Sequence, residues 1–326
     1  MRRMMINVEK WPLHEPFVIS RMVQLNGEVI VVTIEQDGFI GRGECERMDV
    51  FEADYPDVLK MVEGVKSLVE SGISRDELAD HMPAGAARNA IDCALFELDA
   101  KLTGQTAWQL AGFQVPPAEV TTVFTLSLDT PENMAKAAAV QKHRPILKLK
   151  LGREDDLARV QAIRAAAPDT RLVIDANTGW SFEQLEAYLP QLALLGVEMI
   201  EQPLGAAEEH LLEGLTPEIP LVADESCLDR SSLAALIGRY QAINIKLDKT
   251  GGMTEAIALL SEAQQQGFDI MVGCMVGTSL AMAPALLLAQ QARWVDIDGP
   301  LLLSKDRVPA LHYEGSVVHS VEGVWG

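Results

Sequence analysis

Hydrophobic residues in the first third of the chain are spaced as in a mixed α+β domain. The β-branched run at 29–34 (VIVVTI) precedes the turn dipeptide Asp37-Gly38 and further apolar residues, which predicts a β-hairpin. Between Ala86 and Leu102, apolar side chains recur at three- and four-residue steps, which predicts an amphipathic helix. The combination indicates an α+β domain over residues 1–115.

After the proline- and glycine-containing segment 112–117, short apolar strands alternate with helical patterns. We expect strands at 120–126, 146–151, 172–175, 199–202, 221–223, 242–247, 270–273 and 294–297. One intervening helix is predicted at Ser181–Leu195, where Ser181 and Gln184 form a capping box. The alternation indicates a second domain over residues 116–300.

Each predicted strand ends at a polar or small residue, and these residues recur at regular intervals. They are Thr125, Lys150, Asp175, Glu201, Asp224, Lys246, Gly273 and Asp296. The intervals of 25, 25, 26, 23, 22, 27 and 23 residues each fit one strand and one helix. Eight strands with seven helical connections predict an α/β fold, a (β/α)7β modified TIM barrel with its active site at the carboxyl ends of the strands. An open doubly wound sheet is the alternative, but its glycine-rich first turn is missing.

The tail at residues 301–326 follows the eighth strand without an eighth outer helix. It has strand-like and turn-like features, so we expect it to return to the first domain. The capping domain would then be formed by the amino-terminal segment together with this tail.

Composition narrows the classes of function. The 326 residues carry a formal charge of 27 − 47 = −20, which argues against nucleic acid and anionic membranes as partners. The longest apolar run, Leu280–Ala289, contains Pro284 and is too short to span a bilayer. The amino terminus lacks the apolar stretch of a signal peptide, and the four cysteines form no CxxC pair. We expect a cytoplasmic protein whose oligomeric state stays open, a homo-oligomer included.

Three consecutive strand ends carry acids: Asp175 (IDAN), Glu201 (IEQP) and Asp224 (ADES). Neighbouring strands lie about 4.8 Å apart, so the three carboxylates are expected to converge. Three buried acids repel one another unless a cation compensates for them. Oxygen ligands favour a hard cation, and Mg2+ leaves positions open for substrate oxygens. The sequence therefore predicts a Mg2+ site on these acids.

Lysines flank the acids on the second and sixth strands. Lys148 and Lys150 (LKLKL) lie two residues apart and share a face, and Lys246 (NIKLDK) ends the sixth strand. Barrel closure is expected to place Lys150 and Lys246 on opposite sides of the metal. We predict that one removes the proton α to a substrate carboxylate and the other returns a proton to the opposite face. The cation would stabilise the enediolate, and Lys148 would bind the substrate carboxylate.

Two further acids, Asp296 and Asp298, share a face at the end of the eighth strand. They belong either to a turn, because Gly299-Pro300 follows, or to an anionic clamp for a substrate ammonium group. The residue pattern leaves both interpretations open.

The sequence resembles the enolase superfamily, in its muconate lactonizing enzyme subgroup, over nearly the whole chain. The resemblance rests on LKLK, DAN, EQP, ADES, NIKLDKTGG, VGCM and DIDGP, with WPLHEPFVISR near the start and PAGAARNAIDCALFELDAK before the barrel. The chain is most similar to the L-Ala-D/L-Glu (dipeptide) epimerases of that superfamily. The implied architecture is an α+β cap followed by a (β/α)7β barrel.

The resemblance also implies residue roles and a reaction. Magnesium binds to Asp175, Glu201 and Asp224, and the proton transfers belong to Lys150 and Lys246. Substrate contacts are implied for Thr125, Lys148, Cys274, Asp296 and Asp298, the last two with the α-ammonium of a dipeptide. The implied reaction is epimerisation at the C-terminal residue of a dipeptide, as would serve recycling of murein peptides.

Side-chain specificity is expected to depend on the cap. Relatives that act on Glu carry an arginine in the loop after the first strand, where this chain has Gln24 as the aligned substrate contact. Arg21 lies three residues before Gln24, and the sequence leaves open whether it takes the place of that arginine. The loop at 46–54 carries Glu46, Asp49, Glu52 and Asp54, and an acidic lid would disfavour a Glu side chain. A dipeptide epimerase with a preference other than Glu is therefore an alternative.

Other functions use part of the same pattern. A cycloisomerase or o-succinylbenzoate synthase of the same superfamily is the nearest alternative. Its substrate has no ammonium for Asp296 and Asp298, so replacement of these two residues by Asn should then have little effect. A Schiff-base aldolase also uses a lysine at a strand end, but it does not need three consecutive acids. A binding protein that reuses the metal pocket is a further alternative, against which the presence of both Lys150 and Lys246 argues.

Overall fold

The computed structural model describes residues 1–47 and 57–326, and the chain begins with an antiparallel three-stranded sheet. Its strands, in spatial order, are β1 (Arg3–Val18), β2 (Val23–Gln36) and β3 (Phe39–Glu46). In the turn between β2 and β3, Asp37 and Gly38 have φ angles of 54° and 84°. Such positive φ angles are typical of a tight hairpin turn. The hairpin expected around Asp37-Gly38 is confirmed.

The β-branched run in β2 is continuous because both faces of this central strand are buried. Val29 and Val31 pack into the hydrophobic core shared with the barrel. Ile30, Val32 and Ile34 pack into a separate core of the amino-terminal domain. Since successive side chains of a strand point to opposite faces, neither face shows a polar alternation.

Five helices complete the amino-terminal domain. They are α1 (Val58–Gly64), α2 (Lys66–Glu70), α3 (Arg75–His81), α4 (Ala86–Thr103) and α5 (Ala107–Leu110). The helix expected at 86–102 is confirmed by α4, which packs closely on β3. A Cβ on Gly41 or Gly43 of β3 would lie 2.0 or 2.1 Å from a backbone carbonyl oxygen of α4. These two glycines therefore permit the close approach.

Eight parallel strands follow the short strand β4 (Val120–Thr121), and their spatial order is their order in the chain. They are β5 (Phe124–Leu126), β6 (Ile146–Lys150), β7 (Arg171–Asp175), β8 (Val197–Glu201), β9 (Leu221–Ala223), β10 (Ala242–Ile245), β11 (Asp269–Val272) and β12 (Trp294–Val295). The Val123 amide donates to the Val295 carbonyl at 2.9 Å, so the chain just before β5 also meets β12. The expected α/β barrel is confirmed.

The connections between these strands are mostly helical. The connecting helices are α6 (Pro131–Gln141), α7 (Asp156–Ala166), α8 (Phe182–Leu194), α9 (Leu233–Leu236), α10 (Leu247–Thr250), α11 (Met253–Gln265) and α12 (Ser279–Ala289). The one-turn helix α13 (Gly299–Leu302) follows β12. Two 3-10 turns lie at Glu209–Leu212 and Arg230–Ser232. The predicted capping box of Ser181 and Gln184 is present at the start of α8. Within residues 1–47 and 57–326, we find no helix with the length and apolar character required to cross a membrane.

One predicted strand is divided in the structure. The apolar run at 120–126 forms β4 and β5, which belong to different sheets. Between them, the Thr122 hydroxyl accepts a hydrogen bond from the Ile297 amide at 2.9 Å. A continuous apolar run does not reveal this division, because both parts are strands.

The carboxyl-terminal tail contacts both domains. Its strands β13 (His312–Glu314) and β14 (Val317–His319) pair with each other, and β14 also pairs with β4. Near the end of the chain, the Trp325 ring stacks on Phe96 of α4 at 5.9 Å between centroids. The Trp325 Nε1 donates to the Arg42 carbonyl at 2.9 Å. The tail therefore joins the barrel side to β3 and α4.

Helix α4 also docks on the barrel beside α10. The Arg88 Nη2 donates to the Thr250 carbonyl at 2.7 Å, and Asp92 accepts from the Thr254 amide at 3.0 Å. A Cβ on Gly251 would lie 2.3 Å from the Arg88 Nε, and one on Gly252 would lie 2.3 Å from the Asp92 Oδ2. The two glycines therefore give α4 access to the segment that follows β10.

Candidate active site

The barrel interior is closed at one end by an apolar layer. Each strand position contributes one side chain to it: Val123, Ile146, Val173, Met199, Val222, Ala242, Met271 and Trp294. Side chains alternate along a strand, so residues two positions later also face the interior, nearer the carboxyl ends. Five of these are Lys148, Asp175, Glu201, Asp224 and Asp296. The polar site therefore rests on an apolar floor.

Asp175 and Asp224 each pair with one flanking lysine. The Lys150 Nζ lies 2.5 Å from the Asp175 Oδ2, and the Lys246 Nζ lies 2.7 Å from the Asp224 Oδ2. Burial opposes ionisation of both acids, but the charges of nearby lysines outweigh it and lower the pKa of both carboxyl groups. Because β6 and β10 are four strands apart in an eight-stranded barrel, Lys150 and Lys246 enter from opposite sides.

Lys148 lies between acids of three strands. Its Nζ is 2.6 Å from the Glu201 Oε2, 2.6 Å from the Asp296 Oδ2 and 3.2 Å from the Asp175 Oδ2. Burial alone would lower the pKa of the Lys148 ammonium, but the surrounding carboxylates Asp296, Glu201 and Asp175 raise it well above its usual range. Lys148 is therefore a buried cation that compensates for part of the acidic charge.

Buried amide oxygens beside Asp175 and Glu201 are suited to a further ligand. The Glu201 Oε1 accepts from the Asn244 Nδ2 at 2.7 Å, whereas its Oε2 has the ionic contact with Lys148 but no hydrogen bond. Burial and the Asp175 charge raise the pKa of Glu201 to about 7. The buried Oδ1 atoms of Asn177 and Asn244 also have no hydrogen-bond partner among the described groups. Such oxygens are expected where a cation or water binds, so this oxygen-only set fits a hard cation.

The three acids predicted to bind metal are held by lysines in this structure. Among residues 1–47 and 57–326, the one trio of acidic or thiol ligand atoms within 4.8 Å of one another is instead Cys274, Asp296 and Asp298. Binding of a cation to Asp175, Glu201 and Asp224 would therefore replace ammonium contacts that these carboxylates now make.

Asp298 forms a second acidic corner with Asp296 and Cys274. The Asp298 Oδ2 accepts from the Thr125 amide at 2.7 Å. Burial and the neighbouring Asp296 charge raise the pKa of Asp298 to about 7. Burial, Asp296 and Asp298 together raise the pKa of the Cys274 thiol well above its usual range, so the thiol stays neutral. This corner can accept a cationic group of a ligand.

One cavity joins these groups to the amino-terminal domain. Most of the predicted site residues line it, namely Gln24, Thr125, Lys148, Lys150, Asp224, Lys246, Cys274, Asp296 and Asp298. Asp175 and Glu201 do not line it, but both contact Lys148. All of the predicted site residues therefore either line one cavity or contact a residue that lines it.

The cap side of the cavity carries two polar pairs. The Arg21 Nη2 lies 2.6 Å from the Glu225 Oε1, and the Gln24 Nε2 donates to the Glu46 Oε1 at 2.8 Å. Burial and the nearby Asp224 charge raise the pKa of Glu225. Of the loop at 46–54, Glu46 and Arg47 are described, and the acids at 49, 52 and 54 lie outside the described residues.

Sequence reasoning missed three residues that support the site. Asn244 holds Glu201, Lys249 holds Asp224, and Glu225 pairs with Arg21. The sequence does indicate Asn244, because it lies two residues before Lys246 and therefore on the same strand face. It indicates Lys249 less clearly, as a second lysine in the segment NIKLDK. It does not indicate the Arg21–Glu225 pair, because this pair joins residues of the two domains.

Two family matches cover most of the chain. Residues 1–112 match the mandelate racemase/muconate lactonizing enzyme N-terminal domain, and residues 132–310 match the enolase C-terminal domain-like family. The chain belongs to the mandelate racemase/muconate lactonizing enzyme family. This membership confirms the resemblance to the enolase superfamily.

Two relatives are similar to this chain over almost their full length. L-Ala-D/L-Glu epimerase of Escherichia coli (strain K12) is 44% identical over 98% of this chain and 100% of its own. N-acetyl-D-glutamate racemase of Pseudoalteromonas sp. is 43% identical over 91% of this chain and 95% of its own.

Two solved structures superimpose closely on this chain. An enolase family member from Agrobacterium tumefaciens with homology to dipeptide epimerases, with bound sodium and L-Ala-L-Glu, is 44% identical, with a TM-score of 0.96 over 100% of both chains. A dipeptide epimerase from Enterococcus faecalis V583, complexed with Mg and L-Leu-L-Tyr, is 27% identical. Its TM-score is 0.90, over 99% of this chain and 98% of its own.

Proposed function

We propose that this family member is a Mg2+-dependent dipeptide epimerase. It inverts the α-carbon of the C-terminal residue by proton transfer through an enediolate. The observation that carries the proposal is the placement of Lys150 at the end of β6 and of Lys246 directly after β10, four strands away, each within 2.7 Å of a buried carboxylate. The similar epimerases and the dipeptide complexes of related folds support the same assignment.

Asp175, Glu201 and Asp224 would hold the Mg2+ ion. All three carboxylates are fully buried and offer only oxygen ligands, which a hard cation prefers. Magnesium supplies positive charge that offsets the second negative charge developing on the substrate carboxylate when the α-proton leaves. Lys148, which now contacts Asp175 and Glu201, would turn to the substrate carboxylate as its second cation.

Lys150 and Lys246 would perform the proton transfers from opposite faces of the α-carbon. The neutral lysine removes the proton, and the charged lysine delivers one to the other face. The roles exchange when the reaction runs in the other direction. The fixed positions of β6 and β10 keep both amines within the same cavity.

The acidic corner would orient the other end of the dipeptide. Asp296 and Asp298 bind the α-ammonium group, and the Thr125 amide holds the Asp298 carboxylate in place at 2.7 Å. Cys274 lines the cavity beside them as a neutral thiol. An ammonium at this corner would compensate for two buried carboxylates.

Incubation with L-Ala-L-Glu and Mg2+ in D2O tests the proposal. Two-lysine transfer delivers a solvent deuteron to the α-carbon, so 1H NMR should record loss of the α-proton signal together with formation of the other diastereomer. K150A and K246A should each abolish epimerisation. Each variant retains one lysine, so each should still exchange the α-proton of one diastereomer for deuterium, and the diastereomer that exchanges should differ between the two variants.

The exposed helix residue Lys136 provides a control, and K136A should retain wild-type rates. Inversion that persists in both K150A and K246A would contradict the two-lysine mechanism. Trapping of a substrate on either lysine by borohydride would instead support the aldolase alternative.

A second candidate is epimerisation of dipeptides whose C-terminal residue is not Glu. The polar groups of the cap wall already face carboxylates, Arg21 that of Glu225 and Gln24 that of Glu46. A substrate Glu would bring a further negative charge to this wall. Comparison of kcat/KM for L-Ala-L-Glu, L-Ala-L-Gln and L-Ala-L-Lys decides between the candidates, and a clear preference for L-Ala-L-Glu would reject the second.

We also propose a division into a cap at residues 1–115, a barrel at 116–300 and a tail at 301–326 that returns to the cap. The family matches at 1–112 and 132–310 and the contacts of Trp325 support it.

A cytoplasmic role in murein peptide recycling, without nucleic acid or membrane partners, is consistent with the net charge of −20. Fractionation of cells and size-exclusion chromatography would test the location and a homo-oligomer.

A further inference from the structure

Lys249 is a fourth buried lysine at the site, and the proposed proton transfers do not use it. Its Nζ donates to the Asp224 Oδ1 at 2.6 Å, to the Asp224 backbone carbonyl at 2.5 Å and to the Asn244 backbone carbonyl at 2.9 Å. An ammonium group has three N–H donors, so these contacts employ all of them. Lys249 does not line the cavity that contains Lys150 and Lys246. Its position indicates a role other than proton transfer.

The contacts of Lys249 fix the orientation of Asp224. Holding both the Oδ1 and the main-chain carbonyl of one residue restricts rotation of that side chain. The other carboxylate oxygen, Oδ2, is then directed toward Lys246, whose Nζ lies at 2.7 Å. Asp224 also lines the cavity. The Asp224 Oδ1 is therefore bound by Lys249, whereas the Asp224 Oδ2 points toward Lys246 and the cavity.

The turn that carries Lys249 is itself held from the cap. Lys249 belongs to α10, whose last carbonyl, that of Thr250, accepts from the Arg88 Nη2 at 2.7 Å. The Asp248 Oδ1 accepts from the Asn89 Nδ2 at 3.2 Å. These contacts hold α10, which carries Lys249, against α4.

We propose that Lys249 is a positioning residue that prepares Asp224 to bind the cation, an inference that rests on the proposed function. It holds the Asp224 Oδ1 and thereby keeps the carboxylate in the orientation in which it would bind Mg2+. It also leaves Asp224 with a buried partner when Lys246 turns to the substrate. A partner that orients a metal ligand in this way affects cation affinity even though it never touches the ion.

The sign of the effect separates positioning from simple electrostatics. If Lys249 acted only through its charge, it would repel the cation, and its removal would tighten Mg2+ binding. If it orients Asp224, its removal weakens Mg2+ binding despite the relief of that repulsion. Variants of second-layer partners change metal affinity by about 10- to 100-fold. We expect a weakening of that order.

Isothermal titration calorimetry of Mg2+ into chelator-treated protein, without substrate, measures this directly. K249M should raise the Mg2+ Kd by about 10- to 100-fold. K249R retains the charge but replaces the three-way ammonium geometry with a planar guanidinium, so it should also bind Mg2+ more weakly. A K249M Kd equal to or lower than that of the wild type would overturn the proposal, as would a wild-type Kd for K249R.

Lys101 provides a matched control in the cap. Its Nζ lies 2.8 Å from the Oε1 of the buried Glu97, and K101M should leave the Mg2+ Kd unchanged. If K249M fails to fold, K249Q takes its place, and failure of both would overturn the proposal in favour of a purely structural role. Absence of Mg2+ binding by the wild type would reject the proposed function itself, whereas normal wild-type binding with an unchanged K249M Kd would reject only the role of Lys249.

Discussion

Replacing Asp298 by Asn tests whether the acidic corner binds a substrate ammonium group. Asp298 is buried at the carboxyl end of β12, where its Oδ2 accepts from the Thr125 amide at 2.7 Å. Burial and the adjacent Asp296 raise its pKa to about 7. Below that pH the carboxyl group becomes protonated and neutral, so its attraction for an ammonium is lost as the pH falls.

The size of the effect follows from this pKa. At pH 6, about one tenth of Asp298 is ionised in the free enzyme, so kcat/KM for a dipeptide should fall about tenfold per pH unit below 7. A hydrogen bond to a charged group contributes about 1.5–3 kcal/mol. D298N should therefore lower kcat/KM at pH 8 by about 10- to 150-fold.

The assay compares L-Ala-L-Glu with N-acetyl-L-glutamate, which has no ammonium group. The pH profile of kcat/KM for the dipeptide should show the ionisation of Asp298, and D298N should remove it. For N-acetyl-L-glutamate, D298N should have little effect. Parallel profiles for both substrates, or equal losses in D298N, would refute the clamp. They would favour a substrate without an ammonium, such as that of an N-acylamino acid racemase or a cycloisomerase.

Three further predictions concern the metal and the fold. Removal of divalent cations with a chelator should abolish epimerisation and Mg2+ should restore it, so full activity after chelation would contradict the metal site. W325A removes the ring that stacks on Phe96 and should lower the free energy of unfolding by about 3–5 kcal/mol in urea titrations. G252A adds backbone strain at a φ of 112° and an overlap with Asp92, whereas G85A, at a similar backbone conformation (φ 139°) in open space, adds the strain alone. G85A should cost about 1–3 kcal/mol and G252A clearly more, and equal losses in thermal unfolding would mean that the overlap is relieved.

The strand period explains why the main site residues could be predicted. Asp175, Glu201 and Asp224 end consecutive strands, and one apolar and one polar residue of each strand face the same interior. A regular interval in the sequence therefore translates directly into a ring of side chains. The hairpin at Asp37-Gly38 could be predicted equally well, because its turn depends on the conformational preferences of these two residues.

Other features depend on contacts that a local pattern does not contain. The bounds of strand β1 do not follow from the apolar pattern. It is an edge strand in which Met4 is buried and the other side chains are partly or fully exposed. The division of the run at 120–126 depends on pairing with β14 near the end of the chain. The Arg21–Glu225 pair depends on the position of the cap over the barrel.

The interlock between α4 and the segment after β10 limits how such enzymes can be recombined. Arg88 and Asp92 fill the space left by Gly251 and Gly252, so the two surfaces fit as a matched set. A chimaera that takes its cap from one parent and its barrel from another would have to import residues 250–254 along with the helix. Grafting only the loops that face the ligand would leave this joint intact, which makes loop grafting the safer route to altered selectivity.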